Sequence, residues 1–155
     1  MFPSGTPCAS LERLLIYNSS QLERLPDDIS DLLPNLRKLS IRYCRFFSQL
    51  PGNFISLTRL ESLVISVSDS FSRLPEDFGN LPALETLVLD ELPRLSHLPN
   101  SLSDLTCLET FFLIGSREIR QLPGGFCSLT ALKTLCLMKM PGMVLPEGIG
   151  ELCNL

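Results

Sequence analysis

Residues 74–89 read LPEDFGNLPALETLVL, and residues 122–137 read LPGGFCSLTALKTLCL. Every leucine, the first proline and the phenylalanine occupy the same offset in both stretches, while most of the residues between them differ. A constant apolar framework with variable residues between its members is typical of a structural unit that is used repeatedly. The two stretches therefore predict a chain built from repeats.

A Leu-Pro pair recurs along the chain at nearly constant spacing. It begins at residues 25, 50, 74, 98, 122 and 145, with steps of 25, 24, 24, 24 and 23 residues. Dividing the chain before each LxxL motif gives six repeats and the first residue of a seventh, after a short N-terminal segment of residues 1–10. The predicted repeats are 11–35, 36–59, 60–83, 84–107, 108–131 and 132–154, within a solenoid of residues 11–155.

The shared pattern of these repeats is LxxLxLxxxxxLxxLPxxFxxLxx, and it resembles the leucine-rich repeat over nearly the whole chain. Within an LxL strand the side chains alternate, so Leu87 and Leu89 should face the core and Val88 the solvent. The resemblance implies an α/β solenoid of horseshoe shape. Its short parallel β-sheet would line the concave face, and mostly irregular or 3-10 segments would form the convex side.

A single repeat cannot hold this shape, because ordering its residues costs more free energy than its few apolar anchors return. Each repeat needs its neighbours to complete the sheet hydrogen bonds and cover its two open sides. We therefore expect the last layer to be exposed on one side, and we interpret the chain as part of a longer solenoid or as a truncated gene product. That layer comprises Leu132, Leu135, Leu137, Leu145, Ile149 and Leu152.

One position of the repeat departs from the commonest pattern, in which an asparagine bonds the loop backbone inside the turn after the strand. This chain has Ser19, Cys44, Ser68, Leu92, Ser116 and Met140 there. A serine hydroxyl could supply part of that bonding, but Leu92 and Met140 could not. The turns at Leu92 and Met140 are therefore predicted to be irregular.

The segment after each strand indicates which group of leucine-rich-repeat proteins the chain resembles. The phrase LPEGIGEL at residues 145–152, irregular repeat lengths and the Ser/Cys mixture resemble the repeat domain of plant intracellular nucleotide-binding immune receptors. In that family such repeats restrain a nucleotide-binding switch and contribute to effector recognition. Two alternatives are an intracellular Ras-group scaffold and the recognition part of a bacterial effector enzyme. This chain contains no GxxxxGK[ST] motif, so nucleotide binding is not assigned to it.

Outward-facing residues of successive strands should line up across the concave face, where we expect a protein partner or an adjoining domain of the same protein to bind. The first two repeats offer basic and aromatic residues, the fourth offers acidic residues, and the last two offer apolar ones. The predicted partner-binding residues are Arg13, Tyr17, Lys38, Arg42, Tyr43, Val64, Val88, Asp90, Glu91, Phe112, Ile114, Cys136 and Met138. The alternative is that apolar residues on a strand surface reflect β propensity or are covered by another domain.

Composition and motif spacing argue against several other classes of protein. A net charge of −4 gives no sign of a nucleic-acid-binding or membrane-binding surface. No apolar stretch is long enough to span a bilayer, and the N-terminus lacks the pattern of a signal peptide, so a cytoplasmic protein is expected. Six cysteines without a CxxC pair and a single histidine, His97, predict no metal site and no cofactor. We also expect no enzymatic activity.

Overall fold

The computed structural model describes residues 7–152 and 154–155. Cys153 and the first six residues of the predicted N-terminal segment lie outside the described residues. Within the described part, six strands form one parallel sheet whose spatial order equals the chain order. The strands are β1 (Arg13–Tyr17), β2 (Lys38–Arg42), β3 (Ser62–Ser66), β4 (Thr86–Asp90), β5 (Thr110–Ile114) and β6 (Thr134–Met138).

The strands pair in the register that the repeat predicts. Leu87 of β4 lies beside Leu63 of β3 on one side and Phe111 of β5 on the other. Leu87 and Leu89 are fully buried, while Val88 between them is half-buried. The alternation confirms the predicted inward and outward positions. The fold is therefore a leucine-rich-repeat solenoid with a short parallel sheet.

The return segment of each repeat is short and mostly 3-10 in character. A proline lies three residues before four of the six described helices and directly before the other two, where its fixed φ suits a helix start and its missing N–H is not needed. Each helix directs one apolar residue, such as Phe54 or Phe78, into the core. The described segments are one four-residue α-helix, α1 (Ile29–Leu32), and five 3-10 helices, η1 (Gly52–Ser56), η2 (Phe78–Asn80), η3 (Asn100–Asp104), η4 (Phe126–Ser128) and η5 (Ile149–Glu151). Among the residues described, no helix is long and apolar enough to cross a membrane.

The turn that follows each strand is the same in all six repeats, contrary to our prediction for Leu92 and Met140. In every repeat, the carbonyl of the residue at the usual asparagine position accepts a hydrogen bond from the N–H three residues later. The distance is 3.1 Å from Leu95 to Leu92 and 3.3 Å from Met143 to Met140. The residue just before this position has a positive φ in all six repeats. Those residues are Asn18, Tyr43, Val67, Glu91, Gly115 and Lys139.

Backbone hydrogen bonds explain why the turn tolerates different side chains. The N–H of Glu91, just before Leu92, donates to the carbonyl of Ile114 in the next repeat at 2.8 Å, and the equivalent bonds recur from the first repeat to the fifth. The predicted serine bonding is also wrong, since the buried hydroxyls of Ser68 and Ser116 have no described hydrogen-bond partner. The turn is held mainly by main-chain groups of two repeats, and at Cys44 the Sγ also donates to the carbonyl of Arg42 at 3.4 Å.

The last layer is less exposed than we expected. Leu132 and Leu152 are buried, at 0% and 4% exposure, which corrects the prediction for these two residues. The expected exposure does hold for Leu145, which is 51% exposed. Leu135, Leu137 and Ile149 of the same layer are half-buried. The last layer is therefore only partly exposed.

Candidate binding face of the sheet

Register pairing places the outward side chains of the strands in three columns, which together with the positive-φ residues form the concave face. Neighbouring side chains in a column are about 4.8 Å apart, the spacing of paired strands. The first column is Arg13, Lys38, Ser62, Thr86, Thr110 and Thr134. The second is Leu15, Ser40, Val64, Val88, Phe112 and Cys136, and the third is Tyr17, Arg42, Ser66, Asp90, Ile114 and Met138.

All thirteen predicted partner-binding residues lie on this face, and none of them is buried. The exposed ones are Arg13, Tyr17, Lys38, Arg42, Tyr43 and Met138. Half-buried are Val64, Val88, Asp90, Glu91, Phe112, Ile114 and Cys136. The structure brings them together as one continuous surface, and their role in binding stays a prediction.

The first three strands enclose a shallow depression of about 550 Å³. Five of the predicted residues line it, and its floor is largely apolar. The lining consists of Arg13, Leu14, Leu15, Tyr17, Lys38, Leu39, Ser40, Arg42, Ser62 and Val64. Three cations stand around this floor, and the lining contains no acidic residue.

An exposed aromatic pair borders the depression. The rings of Tyr17 and Tyr43 lie 5.1 Å apart at an interplanar angle of 58°, in the tilted geometry that aromatic pairs prefer. Leu15, which is 66% exposed, lies in the same strand as Tyr17 and was missing from the predicted set. Its column position, shared with Val64 and Val88, is the signal that could have found it.

The apolar end of the face is less exposed than the sequence suggested. Phe112, Ile114 and Cys136 are half-buried side chains and do not form a fully exposed apolar patch. Met138 is 52% exposed, and the larger apolar exposure is at Leu15 and Tyr17 on β1. The basic and aromatic end of the face therefore also presents more apolar surface than the end predicted to be apolar.

An ion pair spans three repeats on the edge of the face. The Nζ of Lys139 donates to Oε1 of Glu91 at 2.6 Å, although 48 residues separate them. Gly115 occupies the equivalent position of the repeat between them. A Cβ at Gly115 would be only 2.8 Å from the Glu91 carboxylate. The glycine therefore leaves the space through which Glu91 reaches Lys139.

Asp90 occupies an unfavourable electrostatic position in the third column. Partial burial, and next the charge of Glu91, raise the pKa of the Asp90 carboxyl above its usual value of 3.8, while Lys139 and Arg42 oppose this shift. The Glu91 hydrogen bond in turn raises the pKa of Lys139. Because the ionised form of Asp90 is disfavoured here, a positive charge of a partner beside it would stabilise that form.

The raised pKa of Asp90 predicts a pH dependence of stability. The folded protein binds the Asp90 proton more tightly than the unfolded chain, so stability is lost as pH rises from 3.8 through the folded pKa. Relative to Asp90→Asn, the wild type should be less stable at pH 7 than at pH 3, by less than about 1 kcal/mol for a half-exposed charge. Urea denaturation of both proteins across this range measures the difference, and a difference of opposite sign would contradict the assignment.

The remaining reactive groups do not form a site. Each of the five described cysteines is a free thiol. Within residues 7–152 and 154–155, no three His, Cys, Asp or Glu side chains are grouped as metal ligands would be. His97 is exposed, and its Nε2 lies 3.6 Å from Oε1 of Glu76.

Comparison with known proteins gives structural matches only, since no family model and no curated protein matches the sequence. The plant peptide hormone receptor RGFR1 in complex with RGF2 aligns with a TM-score of 0.70 at 22% identity, over 94% of this chain and 24% of the receptor. The ectodomain of the receptor kinase SOBIR1 from Arabidopsis thaliana aligns with a TM-score of 0.59 at 21% identity, over 86% of this chain and 72% of that one.

A bacterial protein shares the same architecture. The leucine-rich repeat domain of the type III effector XCV3220 (XopL) aligns with a TM-score of 0.52 at 19% identity, over 92% of this chain and 74% of that domain. The chain thus spans about a quarter of the length of the RGFR1 receptor and about three quarters of the other two. At these identities the matches establish the leucine-rich-repeat fold alone.

Proposed function

We propose that this chain is a non-enzymatic protein-interaction module that holds its partner on the concave face. The observation that carries the proposal is the contrast between the two sides of each strand. Inward positions are uniformly apolar, buried in β2–β5 and half-buried in β1 and β6, whereas outward positions change from basic and aromatic to acidic to apolar along the sheet. Folding requires the inward side only, so the outward side is available for recognition.

The partner is a protein, or an adjoining domain of a longer protein that contains this chain. Exposed Tyr and Arg side chains beside apolar surface are the residue types that anchor protein interfaces. Two similar solved structures hold a ligand: the plant peptide hormone receptor RGFR1 is in complex with RGF2, and the Arabidopsis receptor kinase HAESA is in complex with an IDA peptide hormone. Those ligands belong to those receptors, and they support only the general idea that this architecture holds polypeptides.

The finer proposal is a cytoplasmic segment of a plant immune receptor, where it would recognise a partner and restrain the receptor. The support is the LPEGIGEL phrase at residues 145–152, the irregular repeat lengths and the free thiols of the described cysteines. The full-length reading frame tests it. An upstream P-loop domain is the expected finding, whereas a downstream catalytic-cysteine domain would contradict the proposal in favour of a bacterial effector.

A substitution on the apolar end tests the concave face directly. Peptides selected from a random display library against the 155-residue chain should bind about ten-fold or more weakly to a variant carrying Phe112→Ser and Ile114→Ser, because a few apolar and aromatic contacts carry most of the interface energy. The matched control carries Phe46→Ser and Val144→Ser, two exposed apolar residues outside the three columns.

The far-UV spectra of both double variants should equal that of the wild type. Unfolding of the concave variant would show that Phe112 and Ile114 belong to the core. If most selected peptides lose affinity for the control pair and keep it for the concave pair, the partner face lies elsewhere and the proposal fails.

A further inference from the structure

The depression over β1–β3 differs in charge from the rest of the molecule. The chain carries a net charge of −4, yet the residues that line the depression include Arg13, Lys38 and Arg42 and no carboxylate. All three cations are exposed. A local excess of three positive charges on an acidic protein favours an anionic ligand at this place.

These cations also lack the partners that neighbouring cations have. Arg37 pairs with Glu61, and Arg45 pairs with Asp69 at 3.1 Å, each across one repeat. By contrast, no described carboxylate forms an ion pair with Arg13, Lys38 or Arg42.

The Nε of Arg42 donates to Oγ of Ser40 at 3.0 Å, an outward residue of the same strand. This bond holds the guanidinium group over the face and leaves its other N–H donors for a ligand.

The positions of the cations set the spacing of the ligand charges. Arg13 and Lys38 are direct neighbours in the first column, while Arg42 lies four residues further along β2. Four residues of a strand span about 13 Å. Between the two cationic ends lie the apolar side chains of Leu15 and Val64. The depression therefore has positive charge at both ends and an apolar middle.

From this geometry we propose that the depression binds an extended polypeptide segment with the pattern acidic–x–apolar–x–acidic, running along the strands. In an extended chain, residues i, i+2 and i+4 point to the same side and span about 13 Å, which matches the distance from Lys38 to Arg42. The first and last side chains place carboxylates on the two cationic ends. The middle one covers Leu15 and Val64, and the segment passes the exposed pair Tyr17 and Tyr43. This inference rests on the proposed function and names the chemistry of the partner.

A peptide fits this place better than a nucleic acid does. Only three cations are available, and two strands further along the face Asp90 and Glu91 would repel an extended polyanion. Arg42 and Asp90 share the third column with Ser66 between them. The favourable field for an anion is therefore limited to the first two or three strands, which suits a short acidic segment.

Titration of the ¹⁵N-labelled 155-residue chain with blocked peptides tests the inference. The probe is acetyl-Gly-Glu-Gly-Leu-Gly-Glu-Gly-amide, whose capped ends add no charge. Saturable shifts of the Leu15, Ser40 and Val64 amides are expected. A peptide with glutamine in place of both glutamates should bind roughly ten-fold more weakly, and binding should weaken with added salt. The affinity of an isomer with adjacent glutamates should lie between the affinities of these two peptides.

Two triple-substitution variants test whether the depression is the site that prefers the acidic peptide. Replacing Arg13, Lys38 and Arg42 with glutamine should remove the preference for the acidic peptide. The matched control replaces Arg24, Arg59 and Arg94 with glutamine, which makes the same change in net charge at exposed sites outside the depression. This control should bind the acidic peptide like the wild type.

Each contrary outcome has a defined meaning. Equal affinity for the acidic and glutamine peptides, no saturable shift at several millimolar, or equal shifts with inorganic phosphate or a short oligothymidine alone would each overturn the inference. Shifts confined to β5 and β6 would overturn it while leaving the concave face as the partner site. Shifts confined to the convex helices would contradict both proposals.

Discussion

Replacing Phe47 with alanine should lower the free energy of unfolding by about 3–5 kcal/mol. Phe47 is completely buried, and its ring stacks on Phe71 of the next repeat at a centroid distance of 5.7 Å and an angle of 12°. The substitution removes most of a large side chain and leaves a cavity between two layers. Domains of this size have about 5–15 kcal/mol of stability in total, so the variant should lose a large part of it.

The adjacent residue supplies the control. Phe46 is 57% exposed, so Phe46→Ala should change stability by less than about 0.5 kcal/mol. Urea denaturation followed by circular dichroism measures both variants against the wild type. Equal losses for Phe46 and Phe47 would show that the phase of this repeat is misassigned by one residue.

A second large effect is expected at Gly79, in η2. A Cβ at this position would lie 1.9 Å from the carbonyl oxygen of Ser101 and 2.7 Å from its carbonyl carbon. Both are backbone atoms of η3 in the next repeat, so no side-chain rotation relieves the clash. Gly79→Ala should therefore push the two repeats apart and cost about 3 kcal/mol or more. The hydrogen bond from the Gly79 N–H to Oγ of Ser101, at 3.0 Å, would be lost as well.

Gly52 in η1 is the matched control for this substitution. A Cβ there meets nothing within 4 Å, so Gly52→Ala should leave stability unchanged or raise it by about 0.4–1 kcal/mol through the unfolded state. Thermal unfolding of the two alanine variants compares them directly. A Gly79→Ala protein as stable as the wild type would mean that adjacent return segments are not packed at van der Waals contact.

Stability and recognition are thus divided between the two sides of the same strand. Phe47 and Gly79 act where one repeat meets the next, on the side of the solenoid that folding requires. The predicted binding residues project from the opposite side, where substitution should change affinity more than stability. The division explains how six repeats keep one apolar framework and still present a different chemistry on each strand.

The repeat period alone was enough to predict the strands, their order and which side chains face the core. Alternation along a strand is a local property, and a constant period of about 24 residues brings equivalent positions into register, so Leu87 and Leu89 could be assigned without coordinates. The columns of the concave face follow from the same register. The predicted residues Val64, Val88 and Phe112 lie in one column for this reason.

The turns and the contacts between side chains of different repeats were decided by the tertiary structure. Leu92 adopts the common turn because main-chain bonds to the next repeat hold it, and the sequence at that position carries no sign of them. The reach of Glu91 over Gly115 to Lys139 depends on side-chain length and on the absence of a Cβ at Gly115. A linear pattern records which residues are apolar, but it does not record these distances between layers.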